Sequence, residues 1–349
     1  MFLTNLVIIR LLILAFLCFL LALSWAPFLI RTLKKYKMGK SIRTVESAPI
    51  MSELHAGKSG IPTMGGVLIW LTVIVVAFFF WVSCKAPFSN PACSWNFISR
   101  GQTILPMGAL IAAAFVGLLD DYLNIKRIGP KGGGLRVRHR LISYTLIAVT
   151  CAWWFYSKLG WDVMHIPFYG NFVLGWLYIP LFTFVIVATS NSVNLTDGLD
   201  GLAGGPLMAA FTAYAVIAFS QGKFDLAIFA SCIVGALMAF LWFNVPPASL
   251  FMGDTGAMSL GTALGILAML TNQPFLLPII GLPFVLESLS VILQVGSKKI
   301  RGKKIFHSAP VHHHLEKIGW KESQIVFRVW MISLLSAGCG VILALVDRV

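Results

Sequence analysis

The sequence predicts an all-α polytopic membrane protein with about ten transmembrane helices. Of its 349 residues, 58% are hydrophobic and 11% are charged, and the mean hydropathy is +0.85. Soluble domains average about 45–50% apolar and about 25% charged residues, so a soluble globular protein is excluded. The apolar residues fall in runs of about 20, the length that crosses a bilayer as an α-helix. We therefore expect residues 1–349 to form a single integral membrane domain.

Apolar runs separated by short polar loops predict the individual spans. The first run has no small-residue cleavage site and is followed by a basic loop, so it is expected to be a span and not a signal peptide. Boundaries read from such runs are good to several residues. The spans are expected near residues 5–30, 65–82, 103–119, 141–156, 173–190, 202–219, 226–243, 256–271, 275–294 and 325–345.

Lysine and arginine are concentrated in three of the loops between these spans. Residues 31–58 carry seven, residues 120–140 carry six and residues 296–328 carry eight, which is 21 of the 27 in the chain. All three loops lie on one side of the predicted bundle, so the positive-inside rule places that side in the cytoplasm and both termini outside. The net charge of +14 is then explained by topology and by attraction to anionic membrane lipids, without nucleic acid. The cytoplasmic loops are expected at about 31–64, 120–140, 191–201, 244–255 and 295–324.

The six cysteines contain no C-x-x-C pair and no metal-ligand spacing, which excludes a disulfide scaffold and a zinc ribbon. Cys84 and Cys93 share one predicted loop on the outer side. Disulfides persist in oxidising compartments, so these two thiols either pair there or stay reduced, and the sequence leaves both states open.

Five of the eight aspartates lie at the cytoplasmic ends of predicted spans or in the short loops there. Ionisable groups at the membrane boundary are costly without a partner or a function. Loops 191–201 and 244–255 contain no Lys or Arg. Oxygen ligands of this kind suit Mg²⁺, or Mn²⁺, which bind through one or two carboxylates and substrate phosphates. A metal site is predicted, although any single acid could instead cap a helix or pair with a basic loop. The five are Asp120, Asp121, Asp197, Asp200 and Asp254.

Two further polar features lie in apolar surroundings. Glu287 falls inside the predicted ninth span, where it either shapes helix packing or supports the site from behind. The last basic loop contains His307 and the run 312–314. Three consecutive histidines cannot all point the same way, so this run is a poor metal site by itself. An imidazole that meets phosphate at the mouth of the site is favoured.

Five motifs, in matching order over residues 55–330, resemble those of phospho-N-acetylmuramoyl-pentapeptide transferases, and a ten-span topology is that family's topology. The final motif, followed by Gly319-Trp320, distinguishes this family from relatives that transfer N-acetylglucosamine 1-phosphate. The motifs are His55-Ala-Gly-Lys-Ser-Gly-Ile-Pro-Thr-Met-Gly-Gly66, Asp120-Asp121-Tyr122, Asn194-Leu-Thr-Asp-Gly-Leu-Asp-Gly-Leu-Ala203, Phe251-Met-Gly-Asp-Thr-Gly256 and Ala309-Pro-Val-His-His-His-Leu-Glu316.

The resemblance implies a multi-pass enzyme of the bacterial cytoplasmic (inner) membrane. In that family undecaprenyl phosphate attacks UDP-N-acetylmuramoyl-pentapeptide with Mg²⁺ present, giving lipid I and UMP. It implies that Asp254 is the firmest metal ligand, that Asp120 and Asp121 are further ligands that hold or deprotonate the acceptor phosphate, and that His313 is catalytic. A homodimer is also expected, because homo-oligomers are common. The implied substrate-binding residues are Lys58, Thr63, Asn194, Asp197, Asp200, Asn244, Phe251, His312 and His314.

The loop after the acid pair departs from the family pattern. Relatives usually have a shorter loop with Lys near the positions of Arg138 and Arg140, whereas this chain has Gly132-Gly-Gly134 and two arginines. Arg keeps the charge but not a deprotonatable ammonium group. Lys126, Lys131, Arg138 and Arg140 are therefore expected to give electrostatic support only.

Four other classes of membrane protein share some of these features. The sibling transferase acting on UDP-N-acetylglucosamine shares the acids but should differ in the last loop. Intramembrane prenyltransferases and lipid phosphotransferases with CDP-activated donors each need acidic residues that this chain lacks. A secondary transporter would place its acids near the bilayer midplane, whereas these acids cluster at one surface.

Overall fold

The computed structural model describes residues 2–39, 58, 60–85, 91–130 and 133–348. Most of the predicted loop 31–64, namely residues 40–57, and Lys131 lie outside the described residues. Regular structure within the described ranges is mainly helical. The α-helices are α1 (Phe2–Lys35), α2 (Gly66–Ser83), α3 (Ile104–Ile125), α4 (Val137–Leu159), α5 (Tyr178–Thr196), α6 (Gly204–Ser220), α7 (Phe224–Asn244), α8 (Gly253–Leu270), α9 (Leu277–Ile280), α10 (Leu282–Arg301), α11 (Val311–Lys317) and α12 (Glu322–Val346).

Each of the ten predicted spans overlaps helical structure in the chain. Seven helices of the described part are long and apolar enough to cross a membrane, and α9 with α10 would make an eighth. Of the others, α4 carries charged residues near both ends and α6 has only 17 residues. A largely helical, polytopic membrane fold is thereby confirmed. The count of ten and the side on which the termini lie stay predictions.

One small element differs from the all-α expectation. Strands β1 (Val163–Ile166) and β2 (Gly170–Val173) form an antiparallel hairpin between α4 and α5. A helix cannot continue here, because Phe168 and Gly170 both have positive φ. The fifth span, expected from residue 173, therefore begins later, at Tyr178.

Helix α8 occupies the centre of the bundle. Its most apolar 18-residue window is 89% buried, compared with 17% for the corresponding window of the N-terminal helix. Small residues allow this position: a Cβ atom added to Gly66 would overlap the Cα atom of Gly256, so α2 and α8 meet backbone to backbone. Glycine contacts of this type are how membrane helices approach most closely. The close contact fixes the starts of α2 and α8 beside each other.

The predicted ninth span is broken. Residues Pro274–Ile280 and Leu282–Arg301 meet at an angle of 85° around Gly281. Prolines at 274, 278 and 283 remove backbone N–H donors on both sides of the break, so a straight helix is disfavoured. Helix α10 therefore runs at a steep angle to the short segment before it, and its Glu287 contacts the short helix α11 through His312.

The end of the bundle opposite the starts of α2 and α8 is tied together by side chains. Cys84 and Cys93 form a disulfide, which resolves the alternative left open by the sequence. The carboxylate of Asp347, at the end of α12, accepts hydrogen bonds from the His165 imidazole and from the backbone N–H of Phe168. The two hydrogen bonds to Asp347 attach the hairpin to the end of α12.

Candidate active site

The end of α3 and the starts of α2 and α8 meet at one end of the bundle, called the site end below. The backbone N–H groups of Gly65 and Gly66 donate to the carbonyls of Phe251 and Met252, at 2.7 and 2.8 Å. A Cβ atom at Gly117 would lie 2.5 Å from the carbonyl oxygen of Asp254, so α3 also touches α8 directly. This packing brings motifs that are far apart in sequence to one place.

Two of the predicted metal-ligating acids converge on one arginine. Arg140, in the first turn of α4, donates from Nη1 to Asp254 Oδ2 at 2.9 Å and to Asp120 Oδ2 at 3.4 Å. The remaining Asp254 oxygen, Oδ1, accepts from Asn194 Nδ2 at 2.8 Å, and Asp120 Oδ1 accepts from the Leu135 N–H. Asp254, whose own loop contains no Lys or Arg, thus obtains a cationic partner from the first turn of α4. Arg140 makes specific contacts beyond the general electrostatic support expected of it.

Asp121 has a different environment. Its two carboxylate oxygens accept hydrogen bonds from the N–H groups of Asp254 and Thr255, both at 3.1 Å. These are free donors of the first turn of α8, so the carboxylate caps that helix and complements its dipole. Gly253 leaves room for it, since a Cβ atom there would lie 2.5 Å from Asp121 Oδ2. Asp121 therefore holds Asp254 in position.

A second cluster surrounds Lys58. Its ammonium group donates to Asp200 Oδ1 at 2.6 Å and to Glu322 Oε1 at 2.5 Å. Glu322 Oε1 also accepts from the Asp200 N–H at 2.8 Å, and Asp200 Oδ2 accepts from the Ala248 N–H at 3.0 Å. Four chain segments are joined by these contacts. Glu322 was not among the residues predicted from the sequence.

Asn244 connects the two loops behind this cluster. Its Oδ1 accepts from the Gly201 N–H at 3.0 Å and its Nδ2 donates to the Leu250 carbonyl at 2.8 Å. Thr63 is buried, whereas Phe251 and Asp197 are half-buried. The N–H of Phe251 donates to the carbonyl of residue 62 at 2.8 Å, which places the backbone of Phe251 beside the segment that leads into α2.

The three consecutive histidines lie on α11 and point to different partners, as the sequence geometry requires. His312 is buried and its Nδ1 bonds to Glu287 at 2.9 Å. His313 Nδ1 bonds to Glu316 at 2.8 Å. The ring of His314 stacks on His307 with centroids 5.3 Å apart.

The predicted site residues therefore form three adjoining groups at the site end. The metal-site acids with Asn194 form the first, Lys58 with Asp200 and Asn244 the second, and the histidines of α11 the third. The turn 197–201 follows α5 directly and joins the groups, because α5 contributes Asn194 to the first. The assigned roles of these residues stay predictions.

The donor set suits a hard divalent cation. Asp120 and Asp254 already direct carboxylate oxygens at a single cationic group, the Arg140 guanidinium. Mg²⁺ is commonly held by one or two carboxylates, with water and substrate phosphates completing six ligands. Within the described residues, no three His, Cys, Asp or Glu side chains are arranged to hold a metal ion. Metal binding by Asp120 and Asp254 therefore stays a prediction.

Three site-end residues were missed or left unassigned by the sequence reasoning: Arg140, Glu287 and Glu322. Each contacts a residue that is distant in sequence. The separation is 114 residues from Arg140 to Asp254, 264 residues from Lys58 to Glu322 and 25 residues from Glu287 to His312. No local pattern signals such pairs. The only signal available for Glu287 was its charge inside an apolar run.

The helical fold and the cluster of acids at the site end define a polytopic membrane protein with a candidate active site at one end of its bundle. Consistently, a family model described as Glycosyl transferase family 4 matches residues 103–272, which include the acids of α3 and α8. A phospho-N-acetylmuramoyl-pentapeptide-transferase signature matches residues 58–69, the segment from Lys58 into α2.

Similarity to individual proteins extends over nearly the whole chain. The chain is 42% identical over 325 residues to the phospho-N-acetylmuramoyl-pentapeptide-transferase of Geobacillus thermodenitrificans, covering 93% of this chain and 94% of the relative. The enzyme of the same name from Bacillus subtilis is 41% identical over 324 residues, with the same coverage. The one from Chloroflexus aggregans is 37% identical over 350 residues, covering 97% and 90%. The chain belongs to the phospho-N-acetylmuramoyl-pentapeptide-transferase family.

Proposed function

We propose that the protein transfers phospho-N-acetylmuramoyl-pentapeptide from its UDP derivative to undecaprenyl phosphate. An oxygen of the undecaprenyl phosphate attacks the β-phosphorus of the donor. A new P–O bond forms, the bond from the β-phosphorus to the bridging oxygen breaks, and UMP leaves with that oxygen. The products are lipid I and UMP, a step of peptidoglycan synthesis. Family membership supports this reaction, and the convergence of Asp120 and Asp254 at the site end is the structural observation that carries it.

The acids and Arg140 would act on the phosphates. Asp254 and Asp120 would hold Mg²⁺, or Mn²⁺, and Asp121 on α3 would orient Asp254 by capping the start of α8. A bound divalent ion would neutralise charge on the diphosphate, the main requirement of phosphoryl transfer. Arg140 would then be released from the carboxylates and face the same phosphate oxygens. A phosphate monoester is largely ionised at neutral pH, so the acceptor needs little help from a base.

The donor pocket would be built on the second and third groups. Lys58, Thr63 and Asn194 would contact donor phosphate or sugar, and Phe251 would stack on uracil. His313 would act at the diphosphate. The other residues assigned to the pocket are Asp197, Asp200, Asn244, His312 and His314.

The site end would face the cytosol of a bacterium, with the chain in the cytoplasmic (inner) membrane. Two observations support this orientation: basic residues are concentrated in loops at the site end, and the disulfide between Cys84 and Cys93 lies at the other end. A polyprenyl tail needs the bilayer and a nucleotide sugar needs the cytosol, so their phosphates would meet at this boundary. Membrane lipids would surround the bundle, and a homodimer is the assembly we expect.

UMP release by the purified protein tests the proposal. The protein is given undecaprenyl phosphate, Mg²⁺ and either UDP-N-acetylmuramoyl-pentapeptide or UDP-N-acetylglucosamine, with an EDTA-treated control. Metal-dependent release with the pentapeptide donor alone is expected. Release with the other donor would assign the sibling activity. Absence of release with both donors, in protein that remains monodisperse, would contradict a transferase.

A further inference from the structure

A carboxylate and an imidazole are paired in the interior between α10 and α11, apart from the metal-site acids. The Glu287 side chain is 3% exposed and that of His312 is 1% exposed. Glu287 Oε2 lies 2.9 Å from His312 Nδ1, within hydrogen-bond distance, and accepts from the His312 backbone N–H at 3.4 Å. Buried ionisable groups in a membrane protein are expensive and are retained mainly with a partner and a function.

The opposite side of the His312 ring faces Gly198. A Cβ atom added at Gly198 would overlap Nε2 of the ring, so the two groups are in direct contact. Among the described residues, this buried Nε2 atom has no hydrogen-bond partner. Gly198 lies in the turn that carries Asp197 and Asp200. The ring therefore sets the separation between α11 and that turn.

The geometry points to Glu287 as a positioning residue for the nucleotide-sugar pocket, acting through His312. Its two hydrogen bonds, to the ring and to the backbone of His312, fix the position of the imidazole. The ring then supports the turn 197–201 from one side and anchors α11, with His313, on the other. Neither buried side chain has to touch the substrate. The inference rests on the proposed transferase function and adds a residue to which that function had assigned no role.

Donor kinetics of Glu287→Gln separate positioning from a general effect on folding. Glutamine has nearly the same shape but loses the charge and weakens both hydrogen bonds. We expect the KM for UDP-N-acetylmuramoyl-pentapeptide to rise at least fivefold, with the KM for undecaprenyl phosphate changed less than twofold. A lower kcat with both KM values unchanged would indicate fewer folded molecules and would overturn the inference, as would wild-type kinetics.

Ser288→Ala is the matched control on the same helix. It removes a hydroxyl that bonds to Ser192 at 2.7 Å, next to Glu287 in sequence but outside the pair. Both KM values should stay within twofold of wild type. If this variant raises the donor KM as much as Glu287→Gln, the effect belongs to α10 as a whole and the inference is wrong.

A double-variant experiment tests whether Glu287 acts through His312. In a His312→Ala background, adding Glu287→Gln should change the donor KM less than twofold. A further rise of fivefold or more would show an independent role and overturn the inference. If Glu287→Gln does not fold, Gly198→Ala presses on the same imidazole from the other side and should give the same split between the two KM values.

Calorimetric titration of the same variants with UDP-N-acetylmuramoyl-pentapeptide, without acceptor, separates this inference from the proposed function. Loss of donor affinity in Glu287→Gln supports positioning even if the wild type shows no turnover, in which case only the proposed reaction fails. Unchanged affinity in that variant overturns the positioning role, whatever the wild-type activity.

Discussion

Replacing Gly253 with alanine should disrupt the site without replacing any residue assigned to chemistry. Gly253 is the first residue of α8 and has φ of +72°. A Cβ atom there would lie 2.5 Å from Asp121 Oδ2 and 2.8 Å from Thr63 Oγ1. The carboxylate can make room only by moving away from the two N–H groups that it caps. Asp254 would then lose its support.

The cost can be worked from two contributions. A left-handed backbone conformation costs alanine about 1–2 kcal/mol relative to glycine. Weakening the charged hydrogen bonds at the start of α8 adds about 1.5–3 kcal/mol, the usual contribution of hydrogen bonds to charged groups. We therefore expect Gly253→Ala to lower the free energy of unfolding by about 2.5–5 kcal/mol. UMP release should fall at least tenfold at temperatures where the variant remains folded.

Gly338→Ala is the matched control. Gly338 lies on α12, and a Cβ atom added there meets nothing within 4 Å. Alanine favours a helix over glycine by up to about 1 kcal/mol, so this variant should be as stable as wild type or slightly more so. Unfolding in detergent is followed by circular dichroism, and activity by UMP release. Equal stability and equal activity of the two alanine variants would refute the reasoning.

Four further predictions follow from the described contacts. Asp254→Asn should reduce UMP release more than 100-fold in protein that stays monodisperse, and normal turnover would remove the metal assignment. The Arg140→Gln variant should bind Mn²⁺ more tightly than wild type, by up to about tenfold in an electron paramagnetic resonance titration. The reason is that the partly exposed ion pairs of Arg140 compete with the metal and contribute on the order of 1 kcal/mol. Weaker Mn²⁺ binding by the variant would contradict this competition. Phe251→Ala should raise the donor KM, since base stacking contributes roughly 1–3 kcal/mol, and an unchanged KM would place uracil elsewhere. Burial, and then the charge of Arg348, lower the pKa of Lys223 to about 8 from 10.5. Between these two pH values the unfolded state binds more protons than the folded state, so the free energy of unfolding should rise with pH. Unfolding measured as a function of pH should lose that rise in the Lys223→Met variant.

The helices and the location of the acids were predictable because both follow from local composition. Apolar runs of about 20 residues must become helices in lipid, where every backbone group needs an internal partner. Acids at the ends of such runs must lie at a membrane surface, and the charge asymmetry predicts which ends share a side. These two facts predict that Asp120 and Asp254 lie at the same side of the membrane, whereas their proximity depends on how α3 packs against α8.

Features that depend on tertiary contacts were not predictable in this way. The hairpin after α4 lies almost entirely in residues that the sequence placed between two spans, and its strands were not predicted there because each depends on pairing with the other. The capping role of Asp121 depends on how α3 packs against α8, which a Gly117 contact fixes. The choice of Arg140 over neighbouring basic residues depends on the loop path, since Arg138 is exposed and Arg140 is half-buried.

The contact between Lys58 and Glu322 has a consequence for biosynthesis. The two residues are separated by 264 positions, and Glu322 opens the last helix. Synthesis proceeds from the N-terminus, so most of the chain is inserted before that carboxylate leaves the ribosome. A nascent chain that ends before α12 can already contain the acids of α3 and α8, yet Lys58 lacks one of its two anionic partners. The cluster around Lys58 is therefore completed only when the final helix is made, and a truncated product would lack the Lys58–Glu322 contact.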